Sequence, residues 1–281
     1  MDHDEVVRRM NFLKKAIIIS ILLLLAIIWI LPVYVMFTTS LKTLAEVSKG
    51  EYLAFPLKLR VENWTQAYKV LKNPLKNSFL VSMGATFIIV FIGSWSGYAL
   101  ARFNFKGKNK LFFMIAIVTF IPYQIFLIPL TQLIVNLGLF NTLWGMILAY
   151  VILNSPMAIL ITSLFFRTIP KELQEAAALD GCGPINFYFK ILLPLSLSGL
   201  TSAAVLSFVN IWNEFIIALS LSRDPTTRLA IPVVAGLKGS YVAQWNMLMA
   251  GAAIVSIPGI LVLIFFGKFF VKGLIAGAIK E

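Results

Sequence analysis

Long apolar runs dominate this sequence and leave few folds open to it. A helix needs roughly 20 consecutive apolar residues, at about 1.5 Å each, to cross a hydrocarbon layer about 30 Å thick. Six stretches of the 281-residue chain reach that length: 16–37, 79–101, 111–135, 143–166, 191–221 and 247–270. Inside lipid each must be helical, because every backbone N–H and C=O needs a partner within its own segment. The expected fold is therefore an all-α integral membrane protein with six transmembrane helices. Composition agrees: 59% of residues are hydrophobic and 13% charged, against about 45–50% and about 25% in soluble domains. The expected organisation is an N-terminal segment 1–15, a membrane domain 16–270 with long connections at 38–78 and 167–190, and a tail 271–281. The first run follows Arg8, Arg9, Lys14 and Lys15 but is too long for a signal peptide. Phe37-Thr38-Thr39-Ser40 is not a small-x-small cleavage site either, so the run reads as a retained helix.

The formal net charge of +12 would suggest nucleic acid in a soluble protein. In a membrane protein, Lys and Arg gather in the cytoplasmic loops, so no nucleic-acid partner is expected. Basic residues precede the first run. Arg102, Lys106, Lys108 and Lys110 follow the second; Arg167, Lys171 and Lys190 follow the fourth; Lys268, Lys272 and Lys280 end the chain. The short connection 136–142 has none. This pattern places both termini in the cytoplasm. Two segments run against it: 38–78 carries seven basic residues, and Arg223, Arg228 and Lys238 lie between the fifth and sixth runs.

Several chemistries are excluded. With one cysteine, Cys182, and one histidine, His3, neither an intrachain disulfide nor a site of several His and Cys metal ligands is possible. A phosphate-binding loop needs Gly, four residues, then Gly-Lys-Ser/Thr. Gly107-Lys108 and Gly267-Lys268 are preceded at the first position by Arg102 and Val262 and followed by Asn109 and Phe269, so both fail. There is no paired carboxylate and no Ser/His/Asp set. The chain is expected to be non-catalytic and to hold no cofactor; any ATP would be bound by a partner.

Within the runs, Pro122, Pro129, Pro156 and Pro258 are expected to kink their helices. Gly93 and Gly97, four apart with Ser94 and Ser96 nearby, suit close helix–helix approach. Glu214 is the one carboxylate within an expected span, and an intramembrane charge is a functional candidate by default. Ser207, Asn210 and Glu214 fall at i, i+3 and i+7, with Asn213 beside them, forming a polar stripe expected to face the bundle interior. Two readings stay open: a pathway lined with hydrogen-bonding groups, or an interhelical clamp.

The connection 167–190 is the most informative segment. Lys171 through Leu179 are good helix formers, Pro170 suits a helix start, Gly181 can end the helix left-handed, and Gly183-Pro184 can restart one. Leu173, Ala176, Ala177 and Asp180 share a helical face, mostly small and apolar, that suits a groove on another protein. The segment Glu175-Ala176-Ala177-Ala178-Leu179-Asp180-Gly181, followed by Ile191, Leu193 and Pro194, resembles the signature loop of permeases in binding-protein-dependent ABC importers. Val61-Glu62-Asn63-Trp64, Asn77-Ser78, Trp212-Asn213-Glu214-Phe215 and the tail from Gly273-Leu274 to Lys280 are similar to the carbohydrate-uptake branch, in particular to the smaller permease of maltose-type systems.

The resemblance implies a bacterial inner-membrane subunit in which 175–181 is a coupling helix seated on an ATPase. Glu175 would make the polar contact, Ala176 and Ala177 would allow close seating, and Gly181 would make the turn. It implies as partners two ATPase subunits, a second related permease and an external binding protein that delivers a sugar or oligosaccharide. The alternative is a secondary transporter driven by an ion gradient, which would have no ATPase to seat on that loop.

Overall fold

The computed structural model describes residues 3–239 and 244–278, and the side chains of 14–239 and 244–269. The side chains of His3, Arg8, Arg9, Lys272 and Lys280, and those of the tail 271–281, lie outside the described residues. All regular structure among the described residues is helical. Helix α1 is His3–Ser40 and α2 is the short Leu44–Ser48. Then come α3, Glu62–Arg102, and α4, Lys108–Phe120. A single 3₁₀ segment, Tyr123–Phe126, leads into α5, Leu127–Asn136. Helix α6 is Leu143–Thr168, and α7 is Glu172–Leu179. Helix α8, Pro184–Phe187, passes through a π-helical turn, Tyr188–Leu192, into α9, Leu193–Leu195. The remainder is α10, Leu197–Trp212; α11, Ile216–Leu221; α12, Ala230–Gly236; and α13, Trp245–Ala278.

Among the described residues, four helical segments are each long and apolar enough to cross a membrane: Lys14–Ser40, α3, α6 and Trp245–Phe269. The number rises to six if each of two bent pairs counts as one span. Those pairs are sharply bent, and at Pro122 the bend falls where a kink was expected. The run 111–135 turns by 93° between Phe120 and Tyr123. Pro122, which has no amide hydrogen to donate, stands at that break. The run 191–221 bends by 75° beyond Leu195, just after Pro194, and breaks again at Asn213-Glu214-Phe215. Pro156 and Pro258, by contrast, lie inside continuous helices.

Within the connection 38–78, α3 already begins at Glu62. Its first turns are amphipathic, not apolar throughout. Asn63, Ala67, Leu71, Pro74 and Ser78 are buried along one side while Lys69, Lys72 and Lys76 are exposed. A search for unbroken apolar runs passes over such a segment.

The chain divides into two compact units, one of residues through Lys69 with Gly236–Ile254, the other of Val70–Ala235 with the residues from Val255 onward. In the first unit, the Asn63 amide nitrogen donates to the carbonyls of Ser40 and Lys42, each at 2.9 Å, and its oxygen accepts from Asn246 at 3.2 Å. The Trp64 indole donates to Ser40 Oγ at 3.0 Å. The second unit has its core among Val81, Ala85, Ile89, Ile134, Met146, Tyr150 and Ile217. Helices α3 and α6 meet through small residues. A Cβ on Gly93 would lie 2.9 Å from Ala158 Cβ, and one on Gly97 2.2 Å from Thr162 Oγ1. Thr162 Oγ1 donates to the Gly93 carbonyl at 2.6 Å. Lipid gives helices little hydrophobic reason to associate, so contact this close supplies the dispersion and hydrogen bonding that hold them.

Candidate functional site

Two places carry the sequence candidates: the connection from α6 to α10, and a cavity lined by the segments around α4–α6 and α10–α11.

In the connection, α7 ends as the glycine forecast. Gly181 has φ +76°. Its N–H donates to the Ala178 carbonyl at 3.0 Å, and the Cys182 N–H donates to that of Ala177 at 2.8 Å. This pair of bonds is the Schellman closure, which satisfies the carbonyls a helix end leaves free. Gly183 is then extended and Pro184 opens α8, again as expected. Helix α7 is held from behind. Ala177 is buried in a cluster with Tyr98, Phe166, Phe187, Tyr188 and Leu192. The last turns of α3 hold the chain on either side of α7. Arg102 Nη2 donates to the carbonyls of Phe166 and Ile169 at 2.8 and 2.7 Å, and the Tyr98 hydroxyl donates to that of Pro184 at 3.0 Å. Ser94 and Tyr188 share a hydroxyl bond of 2.6 Å, with the Tyr188 ring stacked on Trp95.

The expected face of Leu173, Ala176, Ala177 and Asp180 is thereby divided. Ala177 turns inward, while Leu173, Ala176 and Asp180 are exposed along with Glu172, Glu175 and Ala178. Leu179 is 90% exposed. The outward surface is thus a ridge of three acids, two alanines and two leucines, of which Leu179 is the more uncovered. Tyr98 and Arg102 were missed as parts of this site. Their signal was an arginine and a tyrosine one helical turn apart at the end of an apolar run.

The second place is a cavity of about 1110 Å³ whose lining includes Tyr123, Tyr150, Asn154, Asn210, Asn213 and Glu214 amid apolar side chains. The polar stripe does not survive intact, because α10 ends at Trp212 and the helical spacing stops there. Ser207 is buried and is not part of the lining, whereas Asn210 and Asn213 are exposed to the cavity. Glu214 folds back over the start of α11. Its Oε1 accepts from Ile216 N at 2.8 Å and Ile217 N at 3.0 Å, and its Oε2 from Ile217 N at 2.9 Å and Ala218 N at 3.1 Å. The Tyr123 and Tyr150 hydroxyls donate to the same carboxylate at 3.2 and 3.0 Å. A carboxylate is an acceptor-only group with about four lone-pair sites, and these donors occupy it. Glu214 therefore clamps elements of its own chain, and the clamp reaches α6 and the bend beside Pro122. Tyr123 and Tyr150 were missed by sequence reading; a tyrosine inside an apolar run is itself a signal, since its hydroxyl must find a partner when buried.

Other quoted segments have similar roles. Asn77 Nδ2 donates to the carbonyls of Thr226 and Arg228 at 2.8 and 3.1 Å, and Ser78 Oγ accepts from Ala230 N at 2.8 Å. The Trp212 indole donates to the Val255 carbonyl at 3.0 Å. Among the described residues no group of His, Cys, Asp and Glu could hold a metal ion.

Comparison with known proteins agrees with this architecture. The chain is 33% identical over 262 residues to the glucose import system permease protein GlcU of Saccharolobus solfataricus, covering 91% of each chain. It is 33% identical over 255 residues to the trehalose transport system permease protein SugB of Mycobacterium tuberculosis, covering 89% of this chain and 92% of that one. Its fold is similar to a solved chain of a bacterial ABC transporter that imports the acidic polysaccharide alginate. That match has a TM-score of 0.74 at 20% identity and covers 96% of this chain and 99% of the other. Residues 89–276 match the profile of the binding-protein-dependent transport system inner membrane component. The chain belongs to that family and is a multi-pass membrane permease.

Proposed function

We propose that the chain is the permease subunit of an ATP-driven importer and forms part of the path taken by a sugar or oligosaccharide delivered by an external binding protein. The observation that carries the reading is the outward ridge of α7. It ends in an uncovered Leu179, is closed by Gly181, and is fixed to α3 and α6 through Arg102 and Tyr98. A leucine in a polar connection, with its own chain packed behind the helix, suits a cleft on a soluble protein. That protein is an ATPase subunit, with Glu175 as the polar contact and Ala176 at the closest approach. A second, related permease completes the path, and each of two ATPases seats one such loop. The arrangement has six spans, both bent pairs each making one, and both termini in the cytoplasm. The chain performs no hydrolysis itself; ATP is bound by the partner.

Sugar as the cargo is supported by the names of the relatives and by the lining of the cavity, where Asn154, Asn210 and Asn213 offer amide donors and acceptors suited to hydroxyl groups. In operation, ATP closes the ATPase pair, α7 is displaced, and the grip of α3 on either side of α7 passes the displacement to the spans. Each ligand moves a two-state equilibrium by its differential affinity.

The test is uptake of labelled sugar into vesicles holding the purified complex with ATP enclosed. Uptake that persists with a protonophore and stops without ATP is the expected result. Uptake abolished by the protonophore while ATP stays high would overturn the reading in favour of an ion-driven carrier.

A further inference from the structure

The segment between α2 and α3 exposes side chains that water does not favour. Phe55 is 67% exposed, Leu57 87% and Leu59 61%, and Tyr52 and Leu53 are exposed beside them. The segment has no regular helix of its own, yet it is pinned at several points. Buried Lys42 donates from Nζ to the carbonyls of Glu51 and Tyr52 at 2.7 and 3.4 Å. Glu46 Oε1 accepts from Leu57 N at 2.8 Å, and Arg60 N donates to the Leu41 carbonyl at 2.8 Å. The apolar side chains are therefore presented outward by a fixed backbone.

The position of that backbone indicates what covers them. The Tyr34 hydroxyl donates to the Leu53 carbonyl at 3.1 Å. Tyr34 lies on α1, six residues before its last residue, Ser40, or about 9 Å along the axis. Helix α1 contains the apolar segment Lys14–Ser40, which buries none of its apolar window. The strap thus hangs back along a lipid-facing helix, below that helix's end. From Leu57 to Val61 the sequence alternates Leu, Lys, Leu, Arg, Val. All five side chains are exposed, and Arg60 Nη1 also pairs with Glu62 Oε2 at 2.9 Å. Tyrosine, lysine and arginine at this level match the composition of a membrane boundary.

We propose that the strap 51–61 is an interfacial anchor. Its side chains Leu53, Phe55, Leu57 and Leu59 enter the bilayer at the C-terminal end of α1, and Lys58 and Arg60 face the lipid phosphates. The proposal rests on the membrane reading of α1 alone and not on the cargo or the coupling loop. It also accounts for part of the basic charge in 38–78 that runs against the loop-charge rule: Lys42 is spent in holding the strap, and Lys58 and Arg60 serve the interface.

The experiment places spin labels in the assembled complex, reconstituted in vesicles of phosphatidylcholine with phosphatidylglycerol. Cys182→Ser removes the native thiol. Leu57→Cys supplies the reporter, and Leu23→Cys on α1 the reference for the bilayer interior. Oxygen, which concentrates in lipid, is expected to relax the label at 57 several-fold more than a water-soluble nickel complex does, the same sense as at 23. Nickel acting more strongly than oxygen at 57 would overturn the proposal. So would a label shielded from both reagents only after a binding protein is added, which would make the strap a protein-docking surface. Failure of sugar uptake in the same vesicles would leave this result standing.

Discussion

At the residue scale, Glu214 shows how a carboxylate inside an apolar run can find its donors within its own chain. Three backbone N–H groups and two tyrosine hydroxyls point at it, so it supplies to a helix start what lipid cannot. Glu214→Gln replaces one acceptor oxygen by an NH₂ that faces donors. The complex should lose about 1–3 kcal/mol, read as a lower midpoint in thermal unfolding, with substrate affinity little changed. Altered affinity at unchanged stability would make Glu214 a path residue. Tyr150→Phe removes only one donor and should cost about half as much or less. The sequence placed Glu214 among the candidates but could not choose between path and clamp, because the donors come from three separate runs.

Glu46 follows a different logic. Its carboxyl is held down from an ordinary 4.5 to about 2, first by the Thr43 backbone N–H, then by the Thr43 hydroxyl and the Leu57 N–H. The support it gives the strap is present above the ordinary carboxylate range and lost as pH falls from about 4.5 towards about 2. Hydrogen exchange should find the Leu57 amide protected at neutral pH and progressively less so across that window. Glu46→Gln should remove the pH dependence, and a dependence that persists would assign it to another group.

At the element scale, the four continuous apolar segments were legible because their runs are long and unbroken. The bent elements were not. Pro122 and Pro194 warn of a break, but the 93° and 75° turns arise from what the released backbone groups find to bond with, and that is tertiary information. The first turns of α3 were missed because their apolar face is a stripe. The glycine pair was read correctly from spacing alone, and its consequence is measurable. Gly97→Ala would drive a methyl to 2.2 Å from Thr162 Oγ1 and 2.9 Å from Ser163 N, overpacking that typically costs about 1–3 kcal/mol. Gly183→Ala meets nothing within 4 Å and should leave the thermal midpoint nearly unchanged. Equal effects from the two would mean that α3 and α6 do not rely on close approach.

At the scale of the whole molecule, the segments quoted for the family resemblance, together with Tyr98 and Arg102, turn out to be fastenings. Asn63-Trp64 ties the end of α1, Asn77-Ser78 ties 226–230, Trp212 ties α13, and Tyr98 with Arg102 ties the connection that carries α7. Composition and hydropathy gave the class of the molecule, and the spacing of Glu175-Ala176-Ala177 to Gly181 gave its family. What sequence spacing could not supply was which side of α7 is free, since Ala176 and Ala177 were read as one face, yet Ala176 is exposed and Ala177 buried. The account's central claim is that the free side seats an ATPase. The most direct measurement is to solubilise the chain gently from its native membrane and identify what co-purifies, for the native sequence and for Glu175→Arg with Leu179→Asp. The account predicts that an ATPase with a phosphate-binding loop and a second permease accompany the native chain, and that the double variant keeps the permease and loses the ATPase. An ATPase retained by the double variant, or absent from both preparations, would contradict it.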